Sequence, residues 1–167
     1  MKALDVLDYL REPSMPDGQY ALTGGTGTRP VEILIVEDNP ADLILTKTAL
    51  RDAGIVHEVS VVRDGERALS RLRRQGRYVG TNRPDVVLLD INLPRVNGYQ
   101  VLEQMRADPD LKQIPVIVLS GNAVQESKKR VDDATTYLVK PLRLKEYLSI
   151  AQAIKDVCDL VELPAHA

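Results

Sequence analysis

Residues 31–40 read Val-Glu-Ile-Leu-Ile-Val-Glu-Asp-Asn-Pro. A near-continuous aliphatic run turns at once into two acids, an asparagine and a proline. The run has the length of a strand, and it is too apolar for a strand with one wet face. It therefore reads as parallel and covered on both sides. The same plan recurs along the chain: 86–89 runs into Asp90, 116–119 into Ser120, and 137–139 into Lys140-Pro141, while 59–62 with its flank supplies one more run. Helix-period segments lie between them, at 42–53, 65–75, 98–107, roughly 124–134 and 144–158. Five strand–helix units with short connections predict an α/β fold built on a doubly wound, five-stranded parallel sheet. In such sheets the working site lies beyond the carboxyl ends of the strands. The residues that follow each run are thus where chemistry is expected.

The composition bounds this reading. The chain has 167 residues, 44% apolar and 28% charged, enough for one domain with a modest extension. Every aromatic residue is a tyrosine, so the core must be aliphatic. Twenty-two basic against 24 acidic side chains leave a net charge of −2, which gives no general electrostatic reason to bind nucleic acid or an anionic membrane. The single cysteine, Cys158, cannot form an internal disulfide and fits a reducing compartment. No apolar run approaches the ~20 residues of a membrane span, and Asp5, Asp8, Arg11 and Glu12 break any signal-peptide plan. A cytoplasmic protein is expected. Residues 1–30 read as an N-terminal extension. Leu4, Leu7 and Leu10 there support a short helix stopped by Pro13, and Gly24, Gly25 and Gly27 read as flexible linker. A phosphate loop would need a Lys-Ser/Thr pair after those glycines, and none follows. Residues 31–158 form the main domain and 159–167 a tail.

At the expected rim, Glu37, Asp38 and Asp90 would gather three carboxylates opposite the Ser120 hydroxyl and the Lys140 ammonium. Apolar strand residues behind them give a low-dielectric backing, so like charges cannot all stay unpaired. A hard divalent cation held by carboxylate and carbonyl oxygens resolves the repulsion. Magnesium suits a site that leaves positions to water or phosphoryl oxygen, and Lys140 supplies a point charge for an anionic ligand. Each residue alone also has a plainer reading. Asp38 or Asn39 ahead of Pro40 can be a helix cap, Ser120 a loop hydroxyl and Lys140 a solvated charge. Their joint occurrence at successive strand ends is what argues for a site.

These residues carry a resemblance. Val36-Glu-Asp-Asn-Pro40, Leu88-Leu-Asp-Ile-Asn-Leu-Pro94 with Gly98, Val118-Leu-Ser120 and Tyr137-Leu-Val-Lys-Pro141 are together similar to the receiver domain of bacterial two-component response regulators. The resemblance covers about 31–158. It implies the flavodoxin-like strand order 2-1-3-4-5, and it makes Asp90 the phosphoacceptor, attacking the phosphorus of a phosphohistidine on a sensor histidine kinase. It further implies magnesium held by Asp38, Asp90 and the backbone carbonyl of Asn92, with Glu37 acting through water or as a further ligand. Lys140 would pair with one phosphoryl oxygen, Ser120 would hydrogen-bond another, and Tyr137 would be the switch aromatic that moves inward as the Ser120 loop closes. Asp38-Asn-Pro-Ala-Asp42, the stretch 71–84 and Leu93-Pro-Arg-Val-Asn-Gly98, read on through Arg106-Ala-Asp-Pro109 to Ile114-Pro115, look like stand-alone receivers paired with phytochrome-type histidine kinases. Two departures stand out. Lys140 follows Ser120 by 20 residues, somewhat fewer than the family usually shows, and the glycine expected near Ala134-Thr-Thr136 is missing. The shortening is expected in the fourth helical segment.

Neither the 30 residues before this domain nor the nine after it would house an effector of ordinary size, so output is expected through protein–protein contact. Arg71, Arg73, Arg74 and Arg77, and Lys128-Lys-Arg130, read as solvated helix faces. In the last helical segment Leu144, Leu148, Ala151, Ile154 and Cys158 make a stripe for the sheet. Tyr147, Ile150, Val157, Leu160 and Val161 widen it, either as surface that pairs two copies in a homodimer or as part of an ordinary amphipathic helix. His57 and His166 lack companions for a metal. Two other readings remain open at this stage. One is a scaffold receiver that works without phosphorylation. The other is an aspartyl phosphohydrolase, which would want a general-acid Asp where Asn92 stands.

Overall fold

The computed structural model describes residues 29–121 and 134–160. In chain order it has β1 (Val31–Val36), α1 (Pro40–Asp52), β2 (His57–Val62), α2 (Gly65–Leu72), a 3₁₀ turn (Gly76–Tyr78), β3 (Val86–Asp90), α3 (Gly98–Ala107), β4 (Val116–Ser120), β5 (Thr136–Val139), a second 3₁₀ turn (Leu144–Tyr147) and α4 (Leu148–Leu160). The helical segment read at 124–134 lies outside the described residues apart from Ala134. The short helix and glycine linker of 1–30 lie outside them except for Arg29 and Pro30, as do Lys128-Lys-Arg130, Val161 and His166.

The sheet is five-stranded, in the order β2-β1-β3-β4-β5, with every pair parallel. Alternation along the central strands sorts their side chains to two faces. On one side Leu34, Val36, Val87, Leu89, Val116 and Val118 pack with Ala68 and Leu72 of α2 and Val101, Leu102 and Met105 of α3. On the other, Ile33, Ile35, Val86, Leu88, Ile117 and Leu119 pack with Leu43 and Leu50 of α1 and Ile150, Ala151 and Ile154 of α4. Both faces of β3 and β4 are covered, which is why those strands read as unbroken aliphatic runs. Among the described residues, no helix is long and apolar enough to cross a membrane.

Local chemistry sets the helix ends. Asn39 accepts from the Ala41 and Asp42 N–H groups and caps α1, with Pro40 in its first turn. Asp64 caps α2, and Asn97 with Gln100 makes a capping box on α3. Helix α2 stops at Leu72, three residues short of the reading. Arg74 turns left-handed with φ 54°, while the Arg74 and Gln75 amides donate back to the Arg71 and Ser70 carbonyls.

Two expectations need correction. Arg71 does not share the solvated face of its arginine neighbours: it is buried, and its guanidinium donates to the Asn82 carbonyl at 2.8 Å. Burial lowers its pKa, an effect the Glu32 carboxylate opposes. The buried stripe of the last helix is also rotated from the one expected. Leu148 is 51% exposed, whereas Tyr147, Ile150 and Val157 lie in the core with Ala151 and Ile154. The segment enters through a 3₁₀ turn at Leu144–Tyr147, and three residues per turn advance the phase before the α-helical period begins. Of the apolar residues read as widening the stripe, Tyr147, Ile150 and Val157 therefore pack inside the domain. Just ahead of β1, Arg29 grips Asp85 through two hydrogen bonds of 2.6 Å, so the last residues of the extension are tied to the sheet.

Candidate functional site

The carboxyl ends of β1, β3, β4 and β5 meet at one rim. β1 delivers Glu37, which is 3% exposed; its Oε1 accepts from the Asn39 N–H at 2.9 Å and its Oε2 faces Lys140 Nζ at 2.9 Å. Because Asn39 caps α1, Asp38 is released from that duty and stands exposed at the rim. β3 delivers Asp90, which is 1% exposed. Its Oδ1 accepts from the Asn92 N–H at 3.0 Å and its Oδ2 from Lys140 Nζ at 2.7 Å. β4 delivers the buried Ser120, whose carbonyl accepts from the Lys140 N–H at 2.7 Å. Thus Ser120 and Lys140 are fastened across the β4–β5 pair. Exposed Asn92 lies beside this end of β4, its side-chain nitrogen 3.9 Å from where a β-carbon on Gly121 would stand. Tyr137 pairs with Val118 in the ladder and packs, half-buried, against the cluster that holds Leu34 and Leu89.

Oxygens of Glu37, Asp38 and Asp90 all lie within 4.8 Å of one another. Hard carboxylate oxygens at that spacing, two of them on buried side chains, fit a hard divalent cation such as magnesium. Burial pushes the Glu37 carboxyl above its usual range, a shift that the Lys140 hydrogen bond opposes. Burial alone would lower the Lys140 pKa. Its hydrogen bonds to Asp90, Asp42 and Glu37 outweigh that and raise it, so the side chain is an ammonium throughout the accessible range. Among the described residues no buried side-chain nitrogen or oxygen lacks a partner.

The rim also holds two residues that the sequence reading left out. Asp42, in the first turn of α1, meets Lys140 Nζ through Oδ2 at 2.9 Å, and its Oδ1 accepts from the Tyr147 hydroxyl at 2.8 Å. One signal for Asp42 was available. A helix that starts at Pro40 puts residue 42 in its first turn, beside the end of β1, so its acid belongs to the same rim. Tyr147 gave no such signal, since its direction depends on the 3₁₀ turn that precedes α4.

Comparison with known proteins agrees with this fold. The family model for the response regulator receiver domain matches residues 33–152. Response regulator Rcp1 of Synechocystis sp. is 37% identical over 139 residues, covering 81% of this chain and 95% of that protein. The crystal structure of the phosphorylated cyanobacterial phytochrome response regulator RcpA superposes with a TM-score of 0.74 at 37% identity, over 82% of this chain and all of that one. The manganese-bound form of Rcp1 gives 0.69, also at 37% identity, over 81% of this chain and all of that one.

Proposed function

Since the chain belongs to the response regulator receiver domain family and is related to phytochrome response regulators, we propose that it accepts a phosphoryl group on Asp90 from a sensor histidine kinase, in a magnesium-dependent reaction, and signals by protein–protein contact. One observation carries the assignment of Asp90. It ends the central strand β3 and makes the shorter contact with Lys140, at 2.7 Å against 2.9 Å for Glu37, which shares its burial and its place within 4.8 Å of two further acids. An Asp90 carboxylate oxygen attacks phosphorus, the bond from phosphorus to the kinase imidazole nitrogen breaks, and the nitrogen keeps the electron pair. Asp90 thereby becomes an acyl phosphate. Magnesium, when bound by Glu37, Asp38, Asp90 and the Asn92 carbonyl, supplies positive charge to the transferring oxygens.

Lys140 already sits at the nucleophile and needs only to turn one N–H toward a phosphoryl oxygen. The Asn92 N–H holds the second Asp90 oxygen and fixes the carboxylate plane. Ser120, at the adjacent strand end, donates its hydroxyl to another phosphoryl oxygen. That draws its loop inward and makes room for Tyr137. The likeness to RcpA and Rcp1 supports a phytochrome-type kinase as the donor. The reaction changes the state of the protein rather than turning over a small substrate. Incubation with acetyl phosphate and magnesium is expected to add one phosphoryl group per chain, and Asp90→Asn to abolish it. Labelling that survives Asp90→Asn rejects the assignment. A partner that binds wild type and Asp90→Asn alike, with or without acetyl phosphate, supports a scaffold instead.

A further inference from the structure

The chemistry above uses Lys140 and leaves Asp42 and Tyr147 without a role. Lys140 has three N–H donors and three carboxylate partners: Asp90 at 2.7 Å, and Glu37 and Asp42 at 2.9 Å each. Two of those partners belong to the set whose oxygens fit a divalent cation; Asp42 does not. Its two oxygens have separate duties, one toward Lys140 and one toward the Tyr147 hydroxyl. The Tyr147 ring is 1% exposed and is held in the core that α1 and α4 share with the sheet. A buried phenol needs a partner for its hydroxyl, and burial followed by the hydrogen bond to Asp42 raises its pKa, so it remains a donor. The carboxylate of Asp42 is thus anchored to a side chain held in the buried core.

We propose that Asp42, fixed by Tyr147, is a positioning residue for Lys140: it supplies the counter-charge that lets the ammonium stay at the rim while a divalent cation occupies Glu37, Asp38 and Asp90. The proposal rests on the reading of that cluster as a magnesium-dependent phosphoacceptor site. Without Asp42, the carboxylates left to hold the ammonium among the described residues are Glu37 and Asp90, and these are the oxygens the cation needs. Cation and ammonium then compete for the same ligands, and a partly dry site strengthens the competition. With Asp42 in place, Lys140 keeps one partner that the cation does not claim.

Calorimetric titration with magnesium alone tests this without any phosphoryl transfer. Asp42→Asn is expected to raise the dissociation constant about tenfold, the scale of one charge-assisted hydrogen bond that the ammonium must then draw from the cation's own ligands. Asp42→Glu should restore it to within about threefold, and Tyr147→Phe, which alters no charge, should raise it about twofold to threefold. In a Lys140→Met background, Asp42→Asn should cost no more than about threefold, because its effect runs through the ammonium. Wild-type affinity in Asp42→Asn overturns the proposal, and so does a tenfold loss that persists in Lys140→Met. Thermal unfolding without metal shows which variants fold. If Asp42→Asn does not, Tyr147→Phe decides, and an unchanged dissociation constant there overturns the proposal. Failure of the functional reading would show elsewhere, as labelling that survives Asp90→Asn, and would leave these affinities untouched.

Discussion

Gly98 lies against the backbone of Asp90: a β-carbon at position 98 would stand 2.4 Å from the Asp90 carbonyl oxygen and 2.8 Å from the Ile91 Cα. The Gly98 N–H donates to the Ile91 carbonyl at 3.0 Å, so the first residue of α3 is stitched to the residue that follows Asp90. Atoms that close are backbone, and no side-chain rotation relieves them.

Gly98→Ala is therefore expected to displace the loop between β3 and α3 and to destabilise the fold by about 2–3 kcal/mol. Urea denaturation would show it as a lower midpoint with an unchanged slope. Labelling by acetyl phosphate should slow as well, because the loop carries Asn92. A variant of wild-type stability would mean that α3 can slide away from β3 at little cost.

The fold was legible because β1, β3, β4 and β5 announce themselves twice, by an apolar run and by the polar residues that end it, while β2 shows only part of its length as a run. Val31–Val36 followed by Glu37, and Val86–Leu89 followed by Asp90, show both. The candidate site was legible for the same reason, since Glu37, Asp38, Asp90, Ser120 and Lys140 all sit at strand ends. Asp42 was within reach of the same argument, since a helix starting at Pro40 puts it beside the end of β1, whereas Tyr147 escaped because on a helical segment direction depends on phase rather than on order. A single 3₁₀ turn at Leu144–Tyr147 was enough to rotate α4. Arg71 escaped because a charged residue on an amphipathic helix reads as solvated, and only the tertiary structure supplies the Asn82 carbonyl that lets it be buried.

Arg74 closes α2 in a left-handed conformation that costs a residue with a β-carbon about 1 kcal/mol, and the two capping hydrogen bonds require it there. The Arg74 side chain is exposed, so removing it leaves the core as it was. Arg74→Gly is expected to stabilise the protein by about 0.5–1 kcal/mol, the relief of strain exceeding the extra freedom of the unfolded chain. Equilibrium denaturation measures it, and a loss of stability would show that the arginine side chain contributes more than its backbone costs.

Cys158 is half-buried on α4, and burial, followed by the negative charges of Asp85 and Asp159, pushes its thiol from the ordinary 9.0 up to about 11. The thiolate is the reactive form, so at pH 8 alkylation by iodoacetamide should be about a hundredfold slower in the folded protein than in urea. A raised acid pKa also favours the neutral folded form. That stability is complete below about pH 9 and is lost as pH rises toward 11, amounting to about 1–2 kcal/mol once partial exposure is discounted. With one cysteine in the chain, the reaction reports on this position alone. Equal rates in folded and unfolded protein would contradict the assigned environment.

The phase of α4 gives the sharpest stability contrast, because two neighbouring aliphatic residues are expected to behave oppositely. Ile150 is fully buried among Ile33, Ile35 and Leu50 in the core, whereas Leu148 is 51% exposed. Truncating Ile150 to alanine removes three buried carbons from a packed face and leaves a space that helix and sheet close only in part. The expected loss is about 2–4 kcal/mol. Leu148→Ala removes atoms that already touch water, and alanine has the higher helix propensity, so the expected change is under about 1 kcal/mol. Denaturation midpoints of the two variants measure the difference directly. The reverse order, with Leu148→Ala the more damaging, would restore the stripe that unbroken α-helical periodicity predicts. It would also remove Tyr147 from beside Asp42, since a helix turned to bury Leu148 could not keep the Tyr147 hydroxyl 2.8 Å from that carboxylate. The position of Tyr147 at the rim and the burial of Ile150 therefore stand or fall together.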